Sequence, residues 1–342
     1  MALTRREWLS SLPWIAALSA ACGEIGRQPV REERVYRELR QTKGGARPDR
    51  VLVFTPDTEQ TRALWTGLSD EIGKVVQLIA VQIESRHDAW VMAKAIQRYE
   101  PAALVLVNNP TVAAYRDYQR QHTGRALPPA VIVMTSLLEK SELDLRNATG
   151  IRYEVPLVTA ITSLRRLITL PITRVGVIRR EGFRGFVQAE AALARQEKVT
   201  VVPEVLSASF NASDIKRALR NLKEHAQAIW VLNDDRLLSE ALLSQGWLVG
   251  LNQRPWIPTI VGVSSLMSAD GPFGDVAFLP DHVALGTQAA DILFDAMDNG
   301  WQLTSHDLQL PVSTTTVMDL PRVREHYQLR KGALSQVDVI LK

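Results

Sequence analysis

The chain has 342 residues, 46% of them hydrophobic and 23% charged, with a formal net charge of +3. That composition buries one large core or two ordinary ones and excludes disordered and fibrous classes. Residues 1–50 hold ten Arg and Lys against six Asp and Glu, so they contribute +4 and leave about −1 for the rest. The basicity belongs to the N-terminal segment, and no nucleic-acid face is expected.

In chain order, Arg5 and Arg6 precede a mostly apolar stretch, 8–21, that ends in small residues before Cys22, the single cysteine. This is the three-part layout of a secretory signal, too short to span a membrane, and no later run of about 20 apolar residues follows. One cysteine excludes an intramolecular disulfide, a thiolate cluster and a CxxC redox pair. Leu18-Ser19-Ala20-Ala21-Cys22 resembles the end of a bacterial lipoprotein signal, with Ser19 departing from the usual Leu. The resemblance implies a lipid on the Cys22 thiol and attachment to a membrane through it; a cleaved signal with an incidental cysteine is the alternative. Thr4-Arg5-Arg6-Glu7-Trp8-Leu9 also resembles a twin-arginine export signal. Residues 1–26 are thus a signal and anchor, and 27–50, charged and carrying Gly44-Gly45 and Pro48, read as a tether with one short helix at 32–42.

From residue 51 short runs rich in Val and Ile recur at 51–55, 75–81, 103–107 and 130–134, then at 174–178, 199–202, 228–232 and 259–263. Apolar runs without alternation suit strands covered by helices on both faces. Between them lie helical stripes such as Leu64, Leu68 and Ile72, or Ile215, Leu219 and Leu222. The expected fold class is α/β, two doubly wound parallel-sheet lobes joined by a hinge. The rhythm breaks at 147–156 and again at 264–275. A short run at 276–279, a long helix at 282–299, a strand-like 308–317 and a terminal helix follow. The expected division is 51–152 plus 275–305 for one lobe and 153–274 plus 306–342 for the other.

At this point the chain resembles a family. Asn147-Ala148-Thr149-Gly150-Ile151, Pro156 and Leu170-Pro171-Ile172-Thr173-Arg174-Val175-Gly176-Val177-Ile178 look like the N-x-T-G-x … P-x-x-x-R-V-G-V region of ABC-transporter substrate-binding proteins. The similar subgroup includes tryptophan and tyrosine binders with a type I periplasmic-binding fold. Ala228 to Asp234, Gly286-Thr287-Gln288-Ala289-Ala290 with Gly300, and 317–329 continue the resemblance. It implies an exported receptor that closes on a small solute and delivers it to an ABC permease, without cofactor or metal, and expected as a monomer. Asp319 stands where the family usually has Asn, and Thr135-Ser136-Leu137-Leu138-Glu139 replaces a more polar turn, so the solute can differ from an aromatic amino acid.

In open parallel sheets ligands bind beyond the C-terminal strand ends, where helix N-termini present free N–H groups. The loops there supply Thr55, Asp57, Asn108, Asn109, Thr135 and Ser136 from the first lobe, and Phe183, Asp234, Ser264 and Ser265 from the second. For an amino acid, the hydroxyls and N–H groups at Thr135-Ser136 or Ser264-Ser265 suit the carboxylate, Asp234 or Asp57 the ammonium, and Phe183 an apolar side chain. Each has a bland rival. Asp57 with Gln60 fits a capping box, Asp234 and Asp235 fit helix caps, the Thr and Ser pairs form turns, and Phe183 packs. Arg179-Arg180 suits an anion or a solvated loop, and Trp256 is a rim candidate.

No GxGxxG, GxxxxGK[ST] or GxSxG occurs, and the six histidines form neither HxxxH nor HExxH. An enzyme is not expected. The reading from another class is a lipoprotein sensor or interaction module of the same fold without a transport role. A LacI-like regulator would need a helix-turn-helix before the body, and none precedes it.

Overall fold

A computed structural model describes residues 37–45, 48–124, 126–138, 145–267 and 273–342. The signal, Cys22 and the first part of the tether lie outside the described residues, as does Glu139. No described helix is long and apolar enough to cross a membrane.

The first lobe starts with β1 (Glu38–Gln41), β2 (Arg50–Thr55), α1 (Glu59–Ile72), β3 (Gln77–Gln82), α2 (Ala89–Tyr99), β4 (Ala103–Val107), α3 (Asn109–Gln121), β5 (Ala130–Thr135) and β6 (Ala148–Arg152). The second continues with α4 (Leu157–Leu167), β7 (Arg174–Arg180), α5 (Arg184–Ala194), β8 (Thr200–Leu206), α6 (Ala212–His225) and β9 (Ala228–Trp230). Then come α7 (Glu240–Leu242), α8 (Leu248–Leu251), β10 (Thr259–Val261) and β11 (Val276–Pro280). The remainder is α9 (His282–Asp298), β12 (Leu308–Gln309), β13 (Thr314–Asp319), α10 (Leu320–His326) and β14 (Val339–Leu341).

The strands form two seven-stranded sheets, ordered β1-β3-β2-β4-β5-β6-β12 and β14-β13-β11-β10-β9-β7-β8. All pairings are parallel except β1 with β3 and β11 with β13. The expected fold class therefore holds, and its cause is visible along one strand. In β2, Val51 and Val53 pack under α1 and α9, while Leu52 and Phe54 pack under α2 and α3. In β7, Val175 and Val177 face α4 and α5, whereas Ile178 joins the core beneath α6. A strand buried on both faces needs apolar residues throughout, hence the continuous runs.

Chain passages between lobes occur three times, at 153–156, at Asp281 and at 310–313. Tyr153 Oη and His282 Nε2 lie 3.0 Å apart, and Asp281 N donates to Ser313 O at 3.0 Å, so the three passages are tied to one another.

Several expectations give way. Where a tether helix was expected, 38–41 is a strand, because the edge of β3 leaves backbone groups that β1 satisfies while Leu39 packs on the core. The break at 147–156 contains β6, whose Asn-Ala-Thr-Gly composition hides a ladder with β5. The run 308–317 divides at the third passage, with β12 pairing β6 and β13 pairing β11. The boundary expected at 275 moves to Asp281, since β11 is hydrogen-bonded to β10 in the second sheet, and 308–309 stays with the first sheet instead of leaving it at 306. The terminal strand β14, unmarked by any long apolar run, pairs parallel with β13.

Helix α9 covers the first sheet by lying against α1 at glycine distance. A Cβ on Gly67 would sit 2.0 Å from Val283 O, and one on Gly286 2.1 Å from Leu64 O. The obstacle in each case is backbone of the other helix, which cannot rotate away. Gly67→Ala is expected to force the helices apart and cost about 1–3 kcal/mol, read as a lower urea midpoint with an unchanged slope.

Candidate functional site

The residues expected at the strand ends are placed as follows. In the first lobe Thr55 is buried, and its hydroxyl donates to Pro56 O at 2.9 Å. Asp57 is bound by Arg40 at 2.5 Å and Arg62 at 3.0 Å, and its carboxyl is held below the usual range by the Arg62 hydrogen bond first and Arg40 besides. The capping box of α1 is formed by Thr58 and Thr61, so the Asp57–Gln60 box does not form. Asn108, at φ +83°, caps α3 by accepting from Thr111 N. The Asn109 amide accepts from Ser136 N at 2.9 Å and donates to Ser136 O at 3.1 Å, clamping the loops after β4 and β5. Thr135 is buried, with its hydroxyl 3.4 Å from Val133 O.

In the second lobe Asp234 receives Arg180 Nε at 2.6 Å and Nη2 at 2.8 Å, together with Arg236 N at 3.0 Å. The Arg180 guanidinium also lies 4.9 Å above the ring of Phe183, which belongs to the core beneath α4 and α5. Arg179 is buried and bound to Glu181 at 3.2 Å, so it does not lie in a solvated loop. Ser264 and Ser265 open a short turn of 3-10 helix, Ser264–Met267, and are exposed. Trp256 stacks on His326 at 4.4 Å, ahead of β10 and thus at the opposite strand end from these loops.

What the structure brings together is a different pair, Glu154 and Asn233. Glu154 stands in the first passage between lobes. Its Oε1 accepts from Leu137 N at 2.7 Å, beyond β5 of the first lobe, and from Asn233 Nδ2 at 3.5 Å, beyond β9 of the second. Asn233 Nδ2 also faces Gly262 O at 3.4 Å. Glu154 Oε2 and Asn233 Oδ1 are buried and have no hydrogen-bond partner. Both residues border a cavity of about 20 Å³, room for about one water, whose walls include Trp230, Leu232, Gly262 and Phe278. The backbone beside it is unusual: Met134 and Leu137 take φ of +54° and +53°, which side-chain-bearing residues adopt only under constraint.

Burial pushes the Glu154 carboxyl up to about 7, against the hydrogen bonds from Leu137 and Asn233 and the charge of Arg152. Arg152 itself lies 3.9 Å from Glu190, a buried carboxylate that accepts from Leu157 N at 2.8 Å. Glu154 escaped the sequence reading, which looked only at strand-end loops. The available signal was a lone carboxylate between Tyr153 and the apolar Val155-Pro156-Leu157 at the point where the chain changes lobes. Among the described residues no group of His, Cys, Asp and Glu could hold a metal ion.

The arrangement defines a class: two α/β lobes, three passages, and polar strand-end loops turned toward them. The comparisons agree on that class. No protein-family profile and no curated protein matches the sequence. Solved structures do. The ABC domain from Streptococcus pneumonia in complex with L-Trp is 12% identical, covering 86% of this chain and 100% of its own, with a TM-score of 0.58. The ligand-free, open form of a substrate-binding protein with adhesive properties from Clostridium difficile is 11% identical, covering 86% and 99%, at 0.62. A conserved domain protein from Vibrio cholerae is 16% identical, covering 86% and 99%, at 0.54. At such identities the likeness concerns the fold, the type I periplasmic-binding fold of ABC-transporter substrate-binding proteins.

Two outcomes are expected of site variants. The folded state binds the Glu154 proton more tightly than the unfolded state, so this group's stability contribution is present below about 4.5 and is lost as pH rises toward 7, by on the order of 3 kcal/mol. Glu154→Gln keeps an acceptor for Leu137 N and removes the buried charge; its thermal midpoint should match wild type at pH 4.5 and exceed it at pH 8. Asp234→Ala removes the buried carboxylate that Arg180 binds bidentately and should cost about 3–5 kcal/mol in denaturant titration.

Proposed function

We propose that the chain is the substrate-binding lipoprotein of an ABC transporter, capturing a small solute, an amino acid or a related molecule, between its two lobes. The observation that carries this reading is the pair of unpartnered buried acceptors, Glu154 Oε2 and Asn233 Oδ1, at the passage between the lobes. Buried polar atoms are ordinarily hydrogen-bonded, and those left open mark the place where a ligand completes the network. In this reading Thr135, Ser136, Ser264 and Ser265, in strand-end loops of the two lobes, add polar contacts to the solute. Closure follows if the solute binds the closed arrangement more tightly than the open one.

In this reading residues 1–26 direct export, Cys22 carries the lipid, and the folded body works on the periplasmic side of a bacterial membrane as a monomer. It hands its solute to an ABC permease and uses no cofactor, metal or nucleic acid. The chemistry is binding, not catalysis.

A second reading is favoured by one observation. Asp57, Asp234, Asn109 and Ser136 spend their polar groups on partners inside the protein, and the cavity is about 20 Å³. A sensor or interaction module of the same fold would have such a filled interior. A thermal-shift screen of the body from residue 37 onward against amino acids, nucleosides, sugars and small anions separates the two. A ligand at 100 times its dissociation constant adds about 2.7 kcal/mol. A shift confined to one chemical class is the expected result; a ligand-free, folded sample that shifts with none supports the module.

A further inference from the structure

We propose that the far end of the second lobe, where β7 and β8 begin, is a docking surface for the anionic headgroups of a phospholipid bilayer. It goes beyond the receptor reading, because this face lies at the opposite strand ends from the candidate site and serves a receptor and an interaction module alike.

Three stretches of chain meet there. Residues 165–174 join the end of α4 to the start of β7, 195–200 join the end of α5 to the start of β8, and 328–332 return beside α4, with Leu329 bridged to Ile168. Hydrogen bonds between the stretches hold them in one surface. Arg165 Nε donates to Ile172 O at 2.9 Å, and its Nη1 donates to Glu197 O at 3.1 Å. Arg330 Nε donates to Arg165 O at 2.7 Å and to Ile168 O at 3.0 Å, and Thr200 N donates to Thr173 O at 2.9 Å.

Positive charge is concentrated on that surface. Besides Arg165, the three stretches carry Arg166, Arg174, Arg195, Lys198, Arg330 and Lys331, all exposed, against one acid, Glu197. The first 36 residues hold five Arg and four Glu, so 37–342 keep +2 of the chain's +3; the +6 of these stretches leaves −4 for the remainder. The arginine ion pairs of this lobe engage Arg179, Arg180, Arg184, Arg217 and Arg322, and among the described residues none engages the six exposed cations.

Local structure accounts for part of the cluster. Arg165, Arg166, Arg195 and Lys198 stand at the C-terminal ends of α4 and of α5 with its 3-10 extension, where a helix dipole favours cations. Arg174, Arg330 and Lys331 stand at the start of β7 and in the segment after α10, where no helix C-terminus calls for charge. Unpaired like charges held together repel one another and cost stability, so the surface is complementary to a polyanion from outside.

Two features select a bilayer. The six cations are exposed and spread over three segments, which suits many weak contacts to a plane of phosphates and not one tight contact to a small anion. Apolar groups stand among them: Leu193, in the last turn of α5, is 39% exposed, and Pro171 is exposed as well. Apolar and basic side chains side by side are what the boundary between headgroups and acyl chains accommodates.

The test is vesicle co-sedimentation of the chain from Gly23 on, without lipid, which contains the whole compact unit 36–342. Vesicles are phosphatidylglycerol mixed with phosphatidylcholine, or phosphatidylcholine alone. Arg166→Gln with Lys198→Gln removes two surface charges and leaves in place Arg165 and Arg330, whose guanidiniums hold backbone carbonyls. Lys74→Gln with Arg86→Gln, both exposed in the first lobe, removes the same net charge elsewhere. Circular dichroism and the thermal midpoint confirm the fold of both pairs. Expected is binding to the anionic vesicles alone, weakened by added salt, lowered about 10- to 30-fold by the Arg166 and Lys198 pair and unchanged by the first-lobe pair. Equal loss from both pairs, equal binding to neutral vesicles, or no binding to either vesicle overturns the surface. Binding to soluble poly-glutamate with none to vesicles overturns the bilayer as partner and assigns the charge to an acidic protein. The solute reading is decided separately, by the thermal-shift screen.

Discussion

The close packing of α9 on α1 is the constraint from which the rest of the molecule follows. The first sheet carries apolar side chains on both faces, and one of those faces is covered by α1 only in part. The helix that completes it is made from chain that has already built the second sheet. Glycines at 67 and 286 let the two helices approach backbone to backbone, so that Leu285, Ala289 and Leu293 reach the core formed by Leu64, Leu68 and Val53. A chain that must return once to cover the first sheet must then leave again to finish the second with β13 and β14. Three passages are the topological result, and the hydrogen bonds linking Tyr153 to His282 and Asp281 to Ser313 gather them into one narrow joint.

That joint explains where chemistry can concentrate. Both sheets run their parallel strands toward it, so the loops after β4, β5, β9 and β10 lie near the segments that connect the lobes. Glu154 belongs to neither sheet, and it accepts hydrogen bonds from the loops of both. A carboxylate in such a position costs stability when ionised, because burial removes it from water.

The contrast with Asp234 and Asp57 is instructive. All three carboxylates occupy strand-end or passage positions, and sequence alone ranks the two aspartates ahead. In the folded protein the aspartates are saturated: Arg180 reaches Asp234 from the end of β7, the adjacent strand, and Arg40 reaches Asp57 from a strand expected to be tether. Neither partner is close in sequence, at 54 and 17 residues' distance. Long-range ion pairs of this kind decide which charged groups remain available to a solute, and they leave no periodic trace in the chain.

The sequence by itself determined the class of fold. Continuous apolar runs separated by helical stripes are required by strands buried on both faces, and that local requirement is legible residue by residue in 51–55, 103–107 and 174–178. It also marked, at 147–156, the stretch where the chain leaves the first sheet. Tertiary structure decided what depends on partners distant in the chain. Strand β1 exists because β3 has an open edge, β6 because β5 lies beside it, and the lobe boundary falls at Asp281 because β11 pairs with β10. The candidate site shifted for the same reason. Hydrogen-bond saturation is a property of the assembled neighbourhood, so which polar group is left open, Glu154 and not Asp57 or Asp234, could be read only once the neighbours were in place.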